Sequence, residues 1–172
     1  EWLSDALIKI SKMETGMIQL NMQGADIKKT IIEAVNEVYS RAMEKNVEID
    51  MQDLQSIPVY HDIKWTREAI VNILENSIKY TADQGTVNVS MEKLETYIKI
   101  NIRDNGIGIP PHEISKIFNR FYRGGAQKVV ETEGSGIGLY LSRNLLEEQG
   151  GTIIASSPGE GQGSQFSILL TL

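Results

Sequence analysis

The chain has 172 residues, about one domain's worth, and its 41% hydrophobic and 23% charged content excludes a disordered tail or a collagen-like repeat. Lys and Arg total 17 against 23 Asp and Glu, a formal charge of −6, so no global basic field supports a nucleic-acid surface. The lack of Cys excludes a disulfide framework, a thiolate metal site and a Cys nucleophile, and no apolar run reaches the ~18–20 residues of a membrane span.

The chain opens at Glu1, with no Met, basic segment or cleavage site, and reads as a piece of a longer protein. Residues 2–22 carry Leu3, Ala6, Ile10, Met13, Met17 and Leu20 at alternating steps of three and four, an a/d seam. Gly16 weakens the last turn, so the helix is expected to stop near Glu14 or Thr15. Such a helix lies on its own domain or forms half of a helical hairpin or dimer. Trp2, Leu7 and Ile8 add a second apolar side, which favours the hairpin.

Gln23-Gly24-Ala25 reads as the boundary between residues 1–22 and a domain at 26–172. Asp26 caps a predicted helix to about Lys45, with Ile27, Ile31, Ala34, Val35, Val38 and Ala42 on its core face. Strands are predicted at 47–51 and 57–60, and Asp62 caps a helix from Ile63 to Tyr80. Residues 86–93 and 97–103 alternate as a hairpin, followed by a loop at 104–111 and a short helix at 112–118. Residues 122–135 are polar, Gly-rich and aperiodic, a mobile-loop signature. A helix at 136–149 closes on Gly150-Gly151, and strands at 152–157 and 165–172 end the chain. Three helices alternating with strand pairs predict an α+β fold. It is a two-layer α/β sandwich, with a mixed, mostly antiparallel sheet, three helices on one face and an added N-terminal helix.

Four clusters carry chemistry. Asn72, Asn76 and Lys79 fall at i, i+4 and i+7, one polar stripe of the helix at 63–80. An Asn oxygen suits Mg²⁺, and a Lys one turn on reaches phosphates as a point charge. Asp104-Asn-Gly106-Ile-Gly108-Ile109 leaves the end of a core strand, where Asp104 can accept a hydrogen bond from an exocyclic amine and two glycines permit close approach. Phe118, Arg120, Phe121 and Arg123 combine aromatic anchors with guanidiniums placed to reach a triphosphate. Gly134-Ser135-Gly136-Ile137-Gly138-Leu139 leads into a helix, whose free N-terminal amides form a phosphate site. Taken singly, each is ordinary: a solvated helix face, a turn, packed aromatics, a glycine hinge. Neither G-x-G-x-x-G nor G-x-x-x-x-G-K-[ST] occurs, so the Rossmann and Walker routes to a nucleotide are unsupported.

In this order and spacing the four clusters resemble the N, G1, F and G2 boxes of sensor histidine kinases. These belong to the wider group shared with gyrase, Hsp90 and MutL. The resemblance covers about 26–172, and residues 1–22 are similar to the second helix of the dimerisation hairpin that precedes this domain in such kinases. It implies that Asn76 holds Mg²⁺, Lys79 contacts phosphate, Tyr80 walls the adenine and Asp104 accepts from the adenine amine. Gly106 and Gly108 would line that pocket, Phe118 and Phe121 match the F box, and Gly134, Gly136 and Gly138 shape the lid. Asn72, Ile109, Phe121, Ser135, Ile137 and Leu139 complete the implied ATP site. Arg120 and Arg123 join Asn76 and Lys79 as catalytic residues, and Ser164 is a further candidate for adenine.

In the group's ATPases a Glu one turn before the metal Asn resembles a general base. That position here is Asn72, which takes no proton at neutral pH. Glu75 projects about 100° away from Asn76, so phosphoryl transfer to a protein nucleophile is expected over hydrolysis. The family's acceptor His lies on the first hairpin helix, which residues 1–22 do not match. His61 and His112 read as surface histidines. The resemblance further implies four things: a phosphoacceptor helix of the same or a partner subunit, a response-regulator receiver domain, a homodimeric parent, and a place in the cytoplasmic part of a membrane-anchored sensor. No nucleic-acid partner is expected.

Overall fold

Apolar side chains alternating along strands and recurring every three or four residues on helices meet in one layer between sheet and helices. The computed structural model describes residues 2–125 and 136–172. In chain order the elements are α1 (Trp2–Glu14), β1 (Met22–Asp26), α2 (Ile27–Glu44), β2 (Glu48–Gln52), β3 (Pro58–Asp62) and α3 (Ile63–Tyr80). They continue as β4 (Thr86–Lys93), β5 (Tyr97–Asp104), α4 (Gly138–Glu147), β6 (Thr152–Ser156) and β7 (Ser164–Thr171).

The main sheet has the order β2-β4-β5-β7-β6, with β2–β4 parallel and the other pairs antiparallel. Its register brings Val89, Ile102 and Phe166 into one row and Met91, Ile100 and Ile168 into the next, all buried on the helix side. Each helix contributes its apolar stripe: Ile31, Ala34, Val35 and Val38 from α2, Ile70, Ile73 and Leu74 from α3, Leu141 and Leu145 from α4. This is the open, mostly antiparallel α+β sandwich read from the sequence. Leu145 is 1% exposed, so Leu145→Ala should cost about 2–5 kcal/mol, measured as a lowered urea midpoint with unchanged slope.

Helix boundaries follow local chemistry. Asp26 accepts from Lys28 N–H and Asp62 Oδ1 from Trp65 N–H (2.9 Å), so both predicted N-caps are real. Helix α1 stops at Glu14 because Gly16, at φ +70°, closes it: Gly16 N–H donates to Met13 O and Met17 N–H to Lys12 O. Ala6, Ile10 and Met13 are buried, α1 packs on α4, and Lys9 pairs with Glu68 of α3. Leu7 and Ile8, on the other side, are exposed.

Three expectations are corrected. Gln23-Gly24-Ala25 is strand, not linker: β1 pairs antiparallel with β3 as a separate two-stranded sheet. Residues 112–118 form successive i→i+3 turns instead of a helix, with Glu113 N–H to Pro110 O and Lys116 N–H to Glu113 O. His61 is fully buried. Its Nδ1–H donates to Val59 O (2.8 Å), so Nε2 accepts from the Thr30 hydroxyl (2.8 Å). The β1–β3 pairing turns it inward beneath α2, and His112 alone of the two is exposed.

Candidate functional site

Helix α3 is packed through Ile70, Ile73, Leu74 and Ile78, which leaves its opposite side to form one wall of a cavity. Asn72, Asn76, Lys79 and Tyr80 line that wall. The side-chain nitrogen of Asn72 is buried with no hydrogen-bond partner among the described residues, a donor left for a ligand. Glu75 also borders the cavity despite its angular offset from Asn76, and its carboxylate pairs with Arg41 of α2.

Asp104 forms the floor where β5 ends. It is 6% exposed, and Oδ1 accepts from Gly106 N–H (2.9 Å) while Oδ2 accepts from the Ser164 hydroxyl (2.9 Å). Burial raises its pKa above 3.8, against the lowering effect of hydrogen bonds from Gly106 and Ser164. The Ser77 hydroxyl is buried with no hydrogen-bond partner among the described residues.

Gly108, at φ +70°, lines the cavity where a Cβ would stand 2.0 Å from Gly159 O. Only glycine allows the 104–111 loop to lie against the turn before β7. Ile109 lines the cavity as expected, joined by Ile107, Ile117 and Phe166.

The remaining wall comes from Glu113, Tyr122, Arg123 and Gly124, and from Gly136, Gly138 and Leu139 at the start of α4. The N-cap position of α4 is Ile137, with no side-chain cap bond, so its first amides stay available to an anion. The arrangement therefore offers a buried carboxylate acceptor at one point. Elsewhere it offers amide donors, Lys79, Arg123 and an uncapped helix start, features that complement a base amine and a polyphosphate.

Four expected site residues stand elsewhere. Arg120 is not on the cavity wall: it pairs with Glu14 of α1 and donates to the Tyr140 hydroxyl (3.0 Å) while stacking over that ring. Phe121 is 55% exposed at φ +62°, because its backbone, not its ring, is engaged: its N–H donates to Gly136 O (2.9 Å). Ile137 is fully buried in the core. Gly106 lies behind the wall, where a Cβ would meet Tyr80 O at 2.3 Å. Phe118 is buried edge-on to Phe166 at 6.3 Å. Gly134 and Ser135 lie outside the described residues, as does most of the predicted loop at 122–135. Glu75, Ile107, Glu113, Ile117, Tyr122, Gly124 and Phe166 line the cavity without having been expected there; Glu113, placed by the sequence in a short helix at 112–118, carried no signal for it.

Residues 61–172 match the model of the "Histidine kinase-, DNA gyrase B-, and HSP90-like ATPase" family. The chain belongs to that family. Similar members of the histidine kinase-, gyrase B- and HSP90-like ATPases include "Adaptive-response sensory kinase SasA" of Prochlorococcus marinus, strain MIT 9303. It is 35% identical over 82% of this chain and 39% of its own length. "Sensor protein kinase WalK" of Staphylococcus aureus is 32% identical over 99% of this chain and 40% of its own. The chain thus spans about two-fifths of these relatives. Among solved structures, Acinetobacter baumannii histidine kinase AdeS superposes with a TM-score of 0.80 at 24% identity, covering 98% of this chain and 76% of that one. Full-length ShkA in complex with AMPPNP gives 0.81 at 22%, covering 96% and 34%. These two establish the fold.

Proposed function

We propose that this chain is the ATP-binding catalytic part of a two-component sensor histidine kinase. It would bind Mg-ATP and pass the γ-phosphoryl group to a histidine on a helix outside residues 1–172. The observation that carries this reading is the convergence on one cavity of Asn72, Asn76 and Lys79 from α3, Asp104 from the end of β5, and Arg123 with the uncapped start of α4. Family membership and the sensor kinases among the relatives support it.

In this reading Asp104 accepts from the adenine amine, Tyr80 walls the base, and Lys79, Arg123 and the α4 amides neutralise the phosphates. Among the described residues no group of three His, Cys, Asp or Glu could hold a metal. The donor set fits Mg²⁺ all the same, because that ion keeps several waters and takes substrate phosphate oxygens beside few protein ligands. Asn76 would hold it, and once bound it would offset charge on the phosphates. Catalysis then rests on positioning and electrostatics: the protein would orient the triphosphate so that an incoming imidazole nitrogen attacks the γ-phosphorus in line while the bond to the β–γ bridging oxygen breaks and ADP leaves. Asn72 and the Arg41-paired Glu75 leave water without an evident base on this wall.

The partners that follow are a phosphoacceptor helix of the same or a partner subunit and a receiver domain, in a homodimeric parent. Among the described residues no helix is long and apolar enough to cross a membrane. We place the chain in the cytoplasmic part of an anchored sensor.

Calorimetric titration should show one-to-one ATP binding that tightens with Mg²⁺. Adding a separately made hairpin bearing the acceptor His should yield acid-labile phosphoprotein. Acid-stable label would indicate a serine kinase, free phosphate an ATPase, and binding without product a regulatory module.

A further inference from the structure

Glu113 is a carboxylate with 7% exposure in a chain segment made only of turns, and it borders the same cavity as Arg123. A buried carboxylate facing a polyphosphate site works against anion binding unless its oxygens are committed elsewhere. They are committed: Oε1 accepts from Gly125 N–H at 2.8 Å. The Tyr122 phenol is a neighbour of this carboxylate; its pKa is raised by burial and further by the Glu113 side chain and its charge. Tyr122 and Gly125 flank Arg123 and Gly124, both on the cavity wall. Residues 121–125 have no helix or strand of their own to hold them. The Glu113 side chain therefore ties the turn after Pro111 to the far end of a four-residue piece of irregular backbone, with Tyr122 its neighbour at the near end.

We propose that Glu113 is a positioning residue: its buried carboxylate staples the Tyr122–Gly125 backbone to the cavity wall and so sets where the Arg123 guanidinium meets phosphate. This inference rests on the nucleotide-binding reading above. The staple itself exists without a nucleotide and is measured without one.

In the ligand-free protein the Gly125 amide should exchange with solvent deuterium more slowly than in Glu113→Ala, with Glu113→Gln retaining protection because its carbonyl still accepts. ATP affinity should fall about fivefold in Glu113→Ala, the worth of one hydrogen bond, and recover in Glu113→Gln. Tyr122→Phe, which removes the hydroxyl neighbouring that carboxylate, should give a smaller loss in the same direction. Adenosine affinity should stay within about twofold throughout, which also reports an intact fold. A purely repulsive carboxylate predicts the reverse, tighter ATP binding in both Glu113 variants. Unchanged Gly125 exchange, or ATP bound as tightly by Glu113→Ala as by wild type, would overturn the inference alone. Wild-type protein that binds no ATP would overturn the functional reading and the positioning role with it.

Discussion

Asn76→Ala should abolish the Mg²⁺-dependent tightening of ATP binding and slow phosphoryl transfer by about 10²–10³-fold, while adenosine binding is unchanged. The size follows from how little else on the wall could hold the ion. No cluster of acidic or imidazole ligands exists among the described residues, and Glu75, the adjacent carboxylate, is engaged by Arg41. A neutral amide oxygen contributes modestly on its own. In the proposed reading, however, Asn76 would supply one ligand to the ion and so help keep the triphosphate in a single orientation. The fold should not suffer. Asn76 is half-buried on the cavity side of α3, while Ile73, Leu74 and Ile78 carry the packing, so stability should change by no more than about 0.5 kcal/mol. Titrating ATP, ADP and adenosine with and without Mg²⁺ separates these terms. Mg²⁺ dependence surviving in Asn76→Ala would move the metal to another ligand, with Glu75 the first suspect.

The fold was largely legible because its signals were local and mutually consistent. Asp26 and Asp62 announced helix starts, Gly16 and Gly150 announced stops, and the alternation of Val87, Val89 and Met91 against Ile98, Ile100 and Ile102 set one face of a hairpin. What escaped was non-local. Met22–Asp26 contains Gln, Gly and Asp and has no apolar alternation; it becomes a strand only because β3 is there to pair with. His61 followed the same course. Adjacent to a helix cap it looked exposed, and the pairing of β1 with β3 under α2 buried it against Thr30. The turns at 112–118 had helix-compatible residues, yet Pro110 and Pro111 start them and their carbonyls stop at i→i+3 bonds.

The site was legible where spacing on a regular element fixes direction. Asn72, Asn76 and Lys79 share a face on any α-helix, and Asp104 must alternate with Arg103 at a strand end, so these reached the cavity. Directions along irregular backbone were not readable. Arg120 and Arg123 are three residues apart in an aromatic segment and looked equivalent, but only Arg123 lines the cavity, while Arg120 is drawn to Glu14 and Tyr140. Phe121 turns outward at positive φ, a conformation no sequence rule assigns to phenylalanine. Glu113 became visible only once its carboxylate could be seen to accept from the Gly125 amide twelve positions downstream.

Asp104→Asn should weaken ATP and adenosine alike by about ten- to hundredfold, the worth of a hydrogen bond to a charged acceptor, and leave the Mg²⁺ increment intact. The same substitution should not destabilise the ligand-free fold. Burial raises the Asp104 pKa above 3.8 despite the bonds from Gly106 and Ser164, so the folded protein holds this proton to a higher pH than the unfolded chain does. Between 3.8 and the raised value the native state binds more protons, and stability falls as pH rises through that window. Above it the cost of the buried charge persists at a constant level, and Asn removes it while its carbonyl still accepts from Gly106 N–H. In the proposed reading nucleotide binding should have the opposite dependence: as pH falls through the raised pKa, protonation would replace the charged acceptor offered to the adenine amine with a weaker neutral one. The stability difference between wild type and Asp104→Asn in urea and the wild-type affinity for adenosine should therefore move in opposite directions across acidic to neutral pH, and the affinity dependence should flatten in Asp104→Asn. Stability and affinity moving together would mean that Asp104 holds the cavity floor in place and does not read the base.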